Sequence, residues 1–391
     1  MPAKRPEPVN SVRFDQIPLV PAVIPVAASL QAIRDEWVDI YAELPAKSPF
    51  LSFEYLCLWY HFFANADDIR LIRVAEQGEI LGFLPMVKSR RAGLRILKSL
   101  TNAHCFHCAP LIRVNRGEQF ARALYATLQN EQSAWDIVEL ACFVSSRSDF
   151  DLVSPERLSA SGFRFASSEQ PNFSIDLRGT FEEYYNQTIS SKLRTNLKSR
   201  GKRLQAAGGG TYRHFHGTEA VARFDKFLQL ENSGWKGSAG SSIMSLPDSY
   251  RKYYRRLVHF LASQDSLHLF FLELGDKPIA GAFGYTENEV FHWFKIGYRE
   301  EYGEMAPLNL LLLDNIKYFM ENRPDIRRFN MFPVDGGYKH RWVNENTTMV
   351  GVALFSGTLP GRAAYSISRV RNRLKRIPWF LRAVKRLRTD T

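Results

Sequence analysis

Residues 267–298 read LHLFFLELGDKPIAGAFGYTENEVFHWFKIGY, and residues 299–313 continue REEYGEMAPLNLLLL. Three apolar runs, at 267–274, 279–286 and 290–298, are separated by turn-forming Gly275-Asp276-Lys277-Pro278 and polar Glu287-Asn288-Glu289. Such spacing predicts three consecutive strands. The leucine-rich run after Pro307 predicts a helix over 307–321, with the proline suited to its first turn. Strands at 328–332 and 349–355 complete the segment. Strands, a helix and further strands within about 90 residues indicate an α/β domain with a mixed sheet.

Working outward, 181–207 predicts one helix ended by Gly208-Gly209-Gly210, followed by a strand at 211–215 and helices at 218–233 and 247–263. The earlier half repeats the theme. Helices occupy 29–64, strands 69–75 and 80–88, a helix 117–130, and strands 135–143, 163–166 and 173–177. Residues 71–82 echo 269–281, with Ile80 aligned on Ile279 and Gly82 on Gly281. Similar element order in both halves favours a duplicated domain. The expected organisation is an extended segment at 1–28, domains at 29–168 and 169–357, and a tail at 358–391.

The 391 residues carry a net charge of +12, from 52 Lys and Arg against 40 Asp and Glu. Three quarters of that excess lies in 361–391. There Val370, Leu374, Ile377, Leu381, Val384 and Leu387 form one apolar stripe on an otherwise basic helix, with Trp379 and Phe380 beside the helix-breaking Pro378. This pattern suits an anionic membrane surface. Packing on the protein body and nucleic-acid binding remain alternatives. A second basic cluster, Lys192 to Arg203, lies in a stretch without acids. Four cysteines are too few for a disulfide scaffold and favour a reducing cytoplasm. His104-Cys105-Phe106-His107-Cys108 lacks the second ligand pair a zinc site needs, so no metal is expected. The apolar run at 17–30 is broken by Pro18, Pro21 and Pro25, against a signal-peptide core. With no span of eighteen apolar residues, a cytoplasmic chain is expected, peripheral to the inner face of a membrane.

Five segments in order carry a family likeness: Ser191 to Arg200, Asn232-Ser233-Gly234-Trp235, Gly275 to Gly281, Gly297 to Pro307, and Asp335-Gly336-Gly337-Tyr338-Lys339-His340-Arg341-Trp342. Together they resemble the GNAT-type acyltransferases of the CelD-like, cellulose-biosynthesis-associated group, relatives of the Fem-type aminoacyltransferases. The likeness covers 170–355 well and 45–165 in outline; Gly234 stands where an Arg is common. It implies tandem GNAT-like domains in an α/β (α+β mixed sheet) fold, an acetyl-CoA or acyl-CoA co-substrate, and an amine acceptor on a sugar, lipid or amino-acid conjugate. Nucleic acid is disfavoured, with tRNA the exception because Fem-type enzymes use aminoacyl-tRNA. A non-catalytic membrane-surface scaffold is the competing class.

Acyl transfer from a CoA thioester needs a pyrophosphate site, a proton acceptor for the amine and a proton donor for the thiolate. A helix N-terminus meets the first need, which points to Arg299, Gly303, Ala306, Pro307, Leu308 and Asn309, although the family's second loop glycine is missing. Strand alternation singles out Glu273 beside Leu269 and Phe271, and His292 beside Val290, Phe294 and Ile296, as candidate bases. Tyr298, where the strand opens toward that loop, is the candidate thiolate acid. Lys339, after two glycines, suits an anionic acceptor or developing charge. Lys192, Arg194, Trp235, Asp335 and Tyr338 are candidate acceptor-binding residues. No nucleophile elbow, P-loop or dinucleotide fingerprint is present.

Overall fold

The computed structural model describes residues 28–102, 104–105, 109–144, 148–333 and 337–374. Asp335, His107, Cys108 and the tail beyond Leu374 lie outside them. The helices are α1 (Ala28–Gln31), α2 (Arg34–Glu43), α3 (Phe53–Phe63), α4 (Gly117–Asn130), α5 (Pro155–Ala160), α6 (Phe181–Gln187), α7 (Ser191–Ala206), α8 (Gly217–Ala222), α9 (Phe224–Asn232), α10 (Trp235–Ser238), α11 (Asp248–Ser263), α12 (Pro307–Asn322) and α13 (Leu359–Leu374). The strands are β1 (Ile69–Glu76), β2 (Glu79–Arg91), β3 (Leu94–Ser99), β4 (Leu111–Ile112), β5 (Ile137–Val144), β6 (Arg164–Asp176), β7 (Gly210–His216), β8 (Leu267–Leu274), β9 (Lys277–Glu287), β10 (Val290–Tyr298), β11 (Arg328–Asn330) and β12 (Glu345–Phe355).

All strands share one mixed sheet, in the order β1-β2-β3-β5-β12-β6-β11-β10-β9-β8-β7, with β4 on β2. The mixed α/β class agrees with the sequence reading. The hinge of the arrangement is β12. This last strand pairs antiparallel with β5 of the first half and with β6 along its full length. β6 runs unbroken through residues 168 and 169, so the halves share a sheet across the expected boundary. Its polar middle, Ser167 to Gln170, is exposed and carries no apolar signal, yet β12 pairs with it throughout. That is why two short strands were expected where one exists.

The expected helix at 181–207 is two. Thr180 and Glu183 form a reciprocal cap on α6, and Ser190 caps α7 by accepting from Leu193 N at 3.3 Å. Arg194 closes the break, its guanidinium donating to Asn186 O at 2.9 Å, Tyr185 O at 3.3 Å and Ile189 O. The expected 218–233 helix likewise divides into α8 and α9 at Arg223.

Helices α8, α9 and α11 pack on one face of the second half with α3, around Phe227, Tyr254 and Phe283. Helices α6, α7 and α12 cover the other face, around Phe270, Phe291 and Phe319. Backbone crowding fixes the seat of α9. A Cβ at Gly297 of β10 would lie 2.7 Å from Glu231 Cα, and one at Gly234 would lie 2.3 Å from Tyr298 O.

Buried Asp136 ties the first half to the chain's end. Its carboxylate accepts from Arg95 Nη2 and Arg95 N, both at 2.8 Å, and from the Thr358 hydroxyl at 3.1 Å. The Arg95 hydrogen bond leads the effects that hold its pKa down, from 3.8 to about 2. Its contribution is therefore full above the ordinary carboxylate value and is lost as pH falls through about 2. Asp136→Asn should lower the thermal midpoint by several degrees at pH 7, with the gap to wild type closing toward pH 2. Gly297→Ala should cost about 1–3 kcal/mol in urea unfolding, because α9 must back away from β10.

Candidate active site

β10 and β11 run parallel but pair only at Val290–Arg328, Phe291–Phe329 and His292–Asn330. Beyond that row, Met331 N donates to Phe173 O on β6, while β10 continues six residues along β9 to Tyr298. The two strands part at their C-terminal ends, where open α/β sheets hold ligands.

A cavity of about 640 Å³ lies against the middle of the sheet at this row. Val144, Met349, Asn172, Asn330, His292 and Glu287, from six adjacent strands, line its floor. The segment from Leu44 to Leu51 and the loop from Ala109 to Gly117, both from the first half, face them. The volume is that of an ordinary small-molecule site.

The floor holds an ordered polar set. Asn330 Oδ1 accepts from Phe332 N at 2.9 Å, so its amide NH₂ faces His292 Nδ1 at 3.2 Å. Nδ1 is thereby the acceptor, and Nε2 carries the proton toward Glu287 Oε2 at 3.4 Å. His292 and Glu287 are 7% and 6% exposed, and Tyr285 stacks on the imidazole at 4.9 Å. Asn172 is oriented by the same logic. Thr347 Oγ1 donates to Asn172 O at 3.1 Å and so accepts from Asn172 Nδ2 at 3.0 Å. This leaves Asn172 Oδ1 buried without a hydrogen-bond partner among the described residues.

Phe332 takes a left-handed conformation, φ 60°, which costs a bulky residue roughly 1–3 kcal/mol. Two side chains hold it. Asn330 takes its N–H, and Lys339 Nζ donates to Phe332 O at 3.2 Å and Met331 O at 2.5 Å. Lys339 is thus 7% exposed beneath the turn that presents Asn330 to His292.

The other expected residues scatter. Glu273 accepts from Lys226 Nζ at 2.9 Å and lies 3.6 Å from Arg213 Nε. It pairs across to Pro278, near the Tyr298 end of the sheet, whereas His292 lies in the row of Tyr285 and Leu267. Six residues of strand separate them, roughly 20 Å. Tyr298 is half-buried at the open end of β10, and Gly234 packs on its carbonyl, which brings Trp235 alongside. Trp235 is 44% exposed. Arg299 donates to Pro278 O at 3.0 Å. Gly303 has open space around it, while Ala306 takes the left-handed conformation that starts α12 at Pro307. Leu308 and Asn309 are half-buried, and Asn309 N turns back to Ala306 O at 3.0 Å. The loop's acids draw in the nearby cations: Glu301 pairs with Lys277 at 2.6 Å and Glu304 with Arg203 at 2.7 Å. Lys192 is exposed, Arg194 caps α6, and burial pushes the Tyr338 hydroxyl up to about 12.

One correction concerns His292's strand. Trp293 pairs with Gly284 and Lys295 with Phe283, so a bulge interrupts the alternation. Ile296 therefore packs with the α12 face and does not share a side with Phe294. Sequence reasoning also missed Glu287, Asn330 and Asn172. Glu287 reads as a solvated turn acid, and the asparagines carry no periodic signal.

Residues 191–340 match the model of the acetyltransferase (GNAT) domain family. No curated protein matches the chain by sequence. Among solved structures, the C-terminal DUF2156 domain of a protein described as a lysylphosphatidylglycerol synthetase, from Agrobacterium fabrum, superposes with a TM-score of 0.52 at 11% identity, covering 87% of this chain and 96% of its own. FemX gives 0.52 at 11% identity over 85% and 98%. Residues 191–340 are thus similar to a GNAT-type acetyltransferase domain, and the chain shares the overall fold of these two structures. Among the described residues no group of three metal-ligating side chains comes together, and no helix is long and apolar enough to cross a membrane.

Lys339→Met should leave the Met331 and Phe332 carbonyls without this donor and cost about 1–3 kcal/mol in urea unfolding. The near-ultraviolet circular dichroism of the aromatic cluster around Phe332 should weaken in parallel.

Proposed function

We propose that the chain is an N-acyltransferase of the CelD-like group, moving an acyl group from acyl-CoA to an amine acceptor of cell-envelope, polysaccharide or lipid metabolism. The observation that carries the reading is the acceptor-rich floor of the central cavity at the parting of β10 and β11. Asn172 Oδ1, buried without a hydrogen-bond partner among the described residues, calls for an N–H donor, as an amine supplies, and the Glu287 carboxylate lines the same floor. In this reading Asn172 orients the amine and Glu287, facing the protonated Nε2 of His292, receives its proton as nitrogen attacks the thioester carbonyl. The C–S bond breaks, and the departing thiolate takes its proton from water; Tyr298, six residues along β10 from His292 and packed on the α12 face, lies too far away to supply it. Lys339 acts as a positioning residue. Glu273, bound to Lys226 at the sheet's other end, has no part in these steps.

Aminoacyl-tRNA as donor is the second reading. It is favoured by the loop before α12, where Lys277 and Arg203 are spent on the loop's own acids, while Lys192, Lys198 and Lys202 of α7 stay exposed. The FemX-like fold is compatible with either donor. In both readings the protein works in the cytoplasm at the inner membrane face, reached through 361–391. Leu359, Ile367 and Val370, 82%, 68% and 57% exposed on α13, support that docking.

Calorimetry with acetyl-CoA and longer acyl-CoAs should show binding, and Glu287→Gln should lower kcat at least about 100-fold with the fold intact. No binding of any acyl-CoA, together with co-purified tRNA and ribonuclease-sensitive activity, would transfer the assignment to the second reading. If Glu287→Gln and His292→Ala leave the cellular phenotype whole while deletion of 361–391 abolishes it, the chain is a scaffold.

A further inference from the structure

The bulge in β10 turns both Phe294 and Lys295 toward α9 and α11. The Lys295 ammonium lies 5.4 Å from the ring centre of Tyr254 and 5.2 Å from that of Phe294. Among the described residues it makes no hydrogen bond and no ion pair, although part of its surface remains open. The nearby carboxylate is already committed: buried Glu231 accepts from Lys236 Nζ at 2.8 Å and Ile243 N at 2.9 Å. Lys236 also donates to Ile296 O on β10 at 2.8 Å.

The other neighbours bring no compensating charge. His104 Nδ1 is hydrogen-bonded to the Tyr254 hydroxyl at 2.7 Å. Burial, then Lys295, pushes its pKa down to about 4, so it is neutral. Burial pushes the Tyr254 hydroxyl up, so it keeps its proton. Two lysines therefore share one glutamate, leaving a surplus of one positive charge in an aromatic enclosure. An enclosed ammonium without a counter-charge is costly. Consistent with that, burial and then Lys236 bring the Lys295 pKa down to about 8.

We infer that Lys295 is the seat of a single carboxylate carried by the substrate, entering beside the β10 bulge with its apolar remainder against the half-buried ring of Phe294. One carboxylate cancels the surplus charge. A phosphate dianion would overshoot it and bring repulsion against Glu231. Because the bulge lies on the part of β10 that has left β11, the bound group sits on the open strand where donor and acceptor would meet. Its standing as a substrate subsite rests on the transferase reading, and it narrows the substrate to a molecule with a free carboxylate, such as an amino-acid acceptor or a dicarboxylic half-acyl donor. Carboxylate binding itself does not depend on that reading.

The test uses the full chain grown with lysine ¹³C-labelled at Cε, with the Lys295 signal assigned by its loss in Lys295→Arg. In the free protein that signal should titrate near pH 8. N-acetylglycine at tens of millimolar should raise the midpoint by about one pH unit, because an anion that prefers the ammonium form stabilises it. Inorganic phosphate at the same ionic strength should move it less. Lys295→Met should fold, match or exceed the wild type in thermal midpoint, and lose the stabilisation by N-acetylglycine. A midpoint indifferent to N-acetylglycine, or moved more by phosphate, overturns the carboxylate site. So does a Lys295→Met variant that fails to fold, since the lysine would then be structural. None of these readings requires turnover, so failure here and failure of the transferase assignment are separable.

Discussion

Three residue pairs between two parallel strands organise this molecule. β10 and β11 are held together at Val290, Phe291 and His292 and then separate, because β11 ends at Asn330 and the chain turns to β6. A parallel pair that ends early exposes backbone in the middle of a wide sheet, a position that would otherwise be fully paired. The last paired row is also the row of the cavity. His292 and Asn330 sit opposite each other there, and Glu287 reaches them from the neighbouring hairpin. The opening in the sheet and the polar floor are thus consequences of one local event in strand pairing.

That event is stabilised at some expense. Phe332 is bulky and left-handed, a conformation that normally belongs to glycine or asparagine. Its amide is held by Asn330 and its carbonyl by Lys339. The same Asn330 amide sets the tautomer of His292. Lys339, whose place after two glycines suggested contact with substrate, instead acts from below the turn. A compact ammonium suits the two converging carbonyls, and its burial follows from the collapse of the 337–342 segment onto Phe173 and Met331. The cation of this region with spare charge is Lys295, which the strand bulge turns inward.

Much of the framework is legible in the sequence. The hairpin of β8 and β9, strand β10 and helix α12 follow from apolar runs punctuated by Gly, Pro and charged turns, and they stand within a residue or two of their expected limits. β6 reads as two strands because its exposed middle is polar, and α6 and α7 read as one helix because a three-residue break barely disturbs the helical spacing. Strand β3, Leu94–Ser99, and the two residues of β4 went unread, being too short to show a period. The candidate site was legible only in part. His292 stood out as a polar residue on an apolar strand. Its partners did not, since Glu287 and Asn172 acquire meaning only when strands distant in sequence become neighbours.

The sequence by itself determined the class of fold, the GNAT-like likeness of the second half and the concentration of basic charge at the C-terminus. Each of these depends on local periodicity, turn chemistry or composition, which are properties of neighbouring residues in the chain. Only the tertiary structure decided that β12 joins the two halves, that β10 and β11 part after His292, and that a bulge turns Lys295 into an aromatic enclosure. It also separated Glu273 from His292, which alternation had placed in the same role. These outcomes depend on strand register and on the competition of distant segments for the same backbone hydrogen bonds. A shift of one residue in register reverses which side chains face a site, and no pattern within a single strand records which register its neighbours impose.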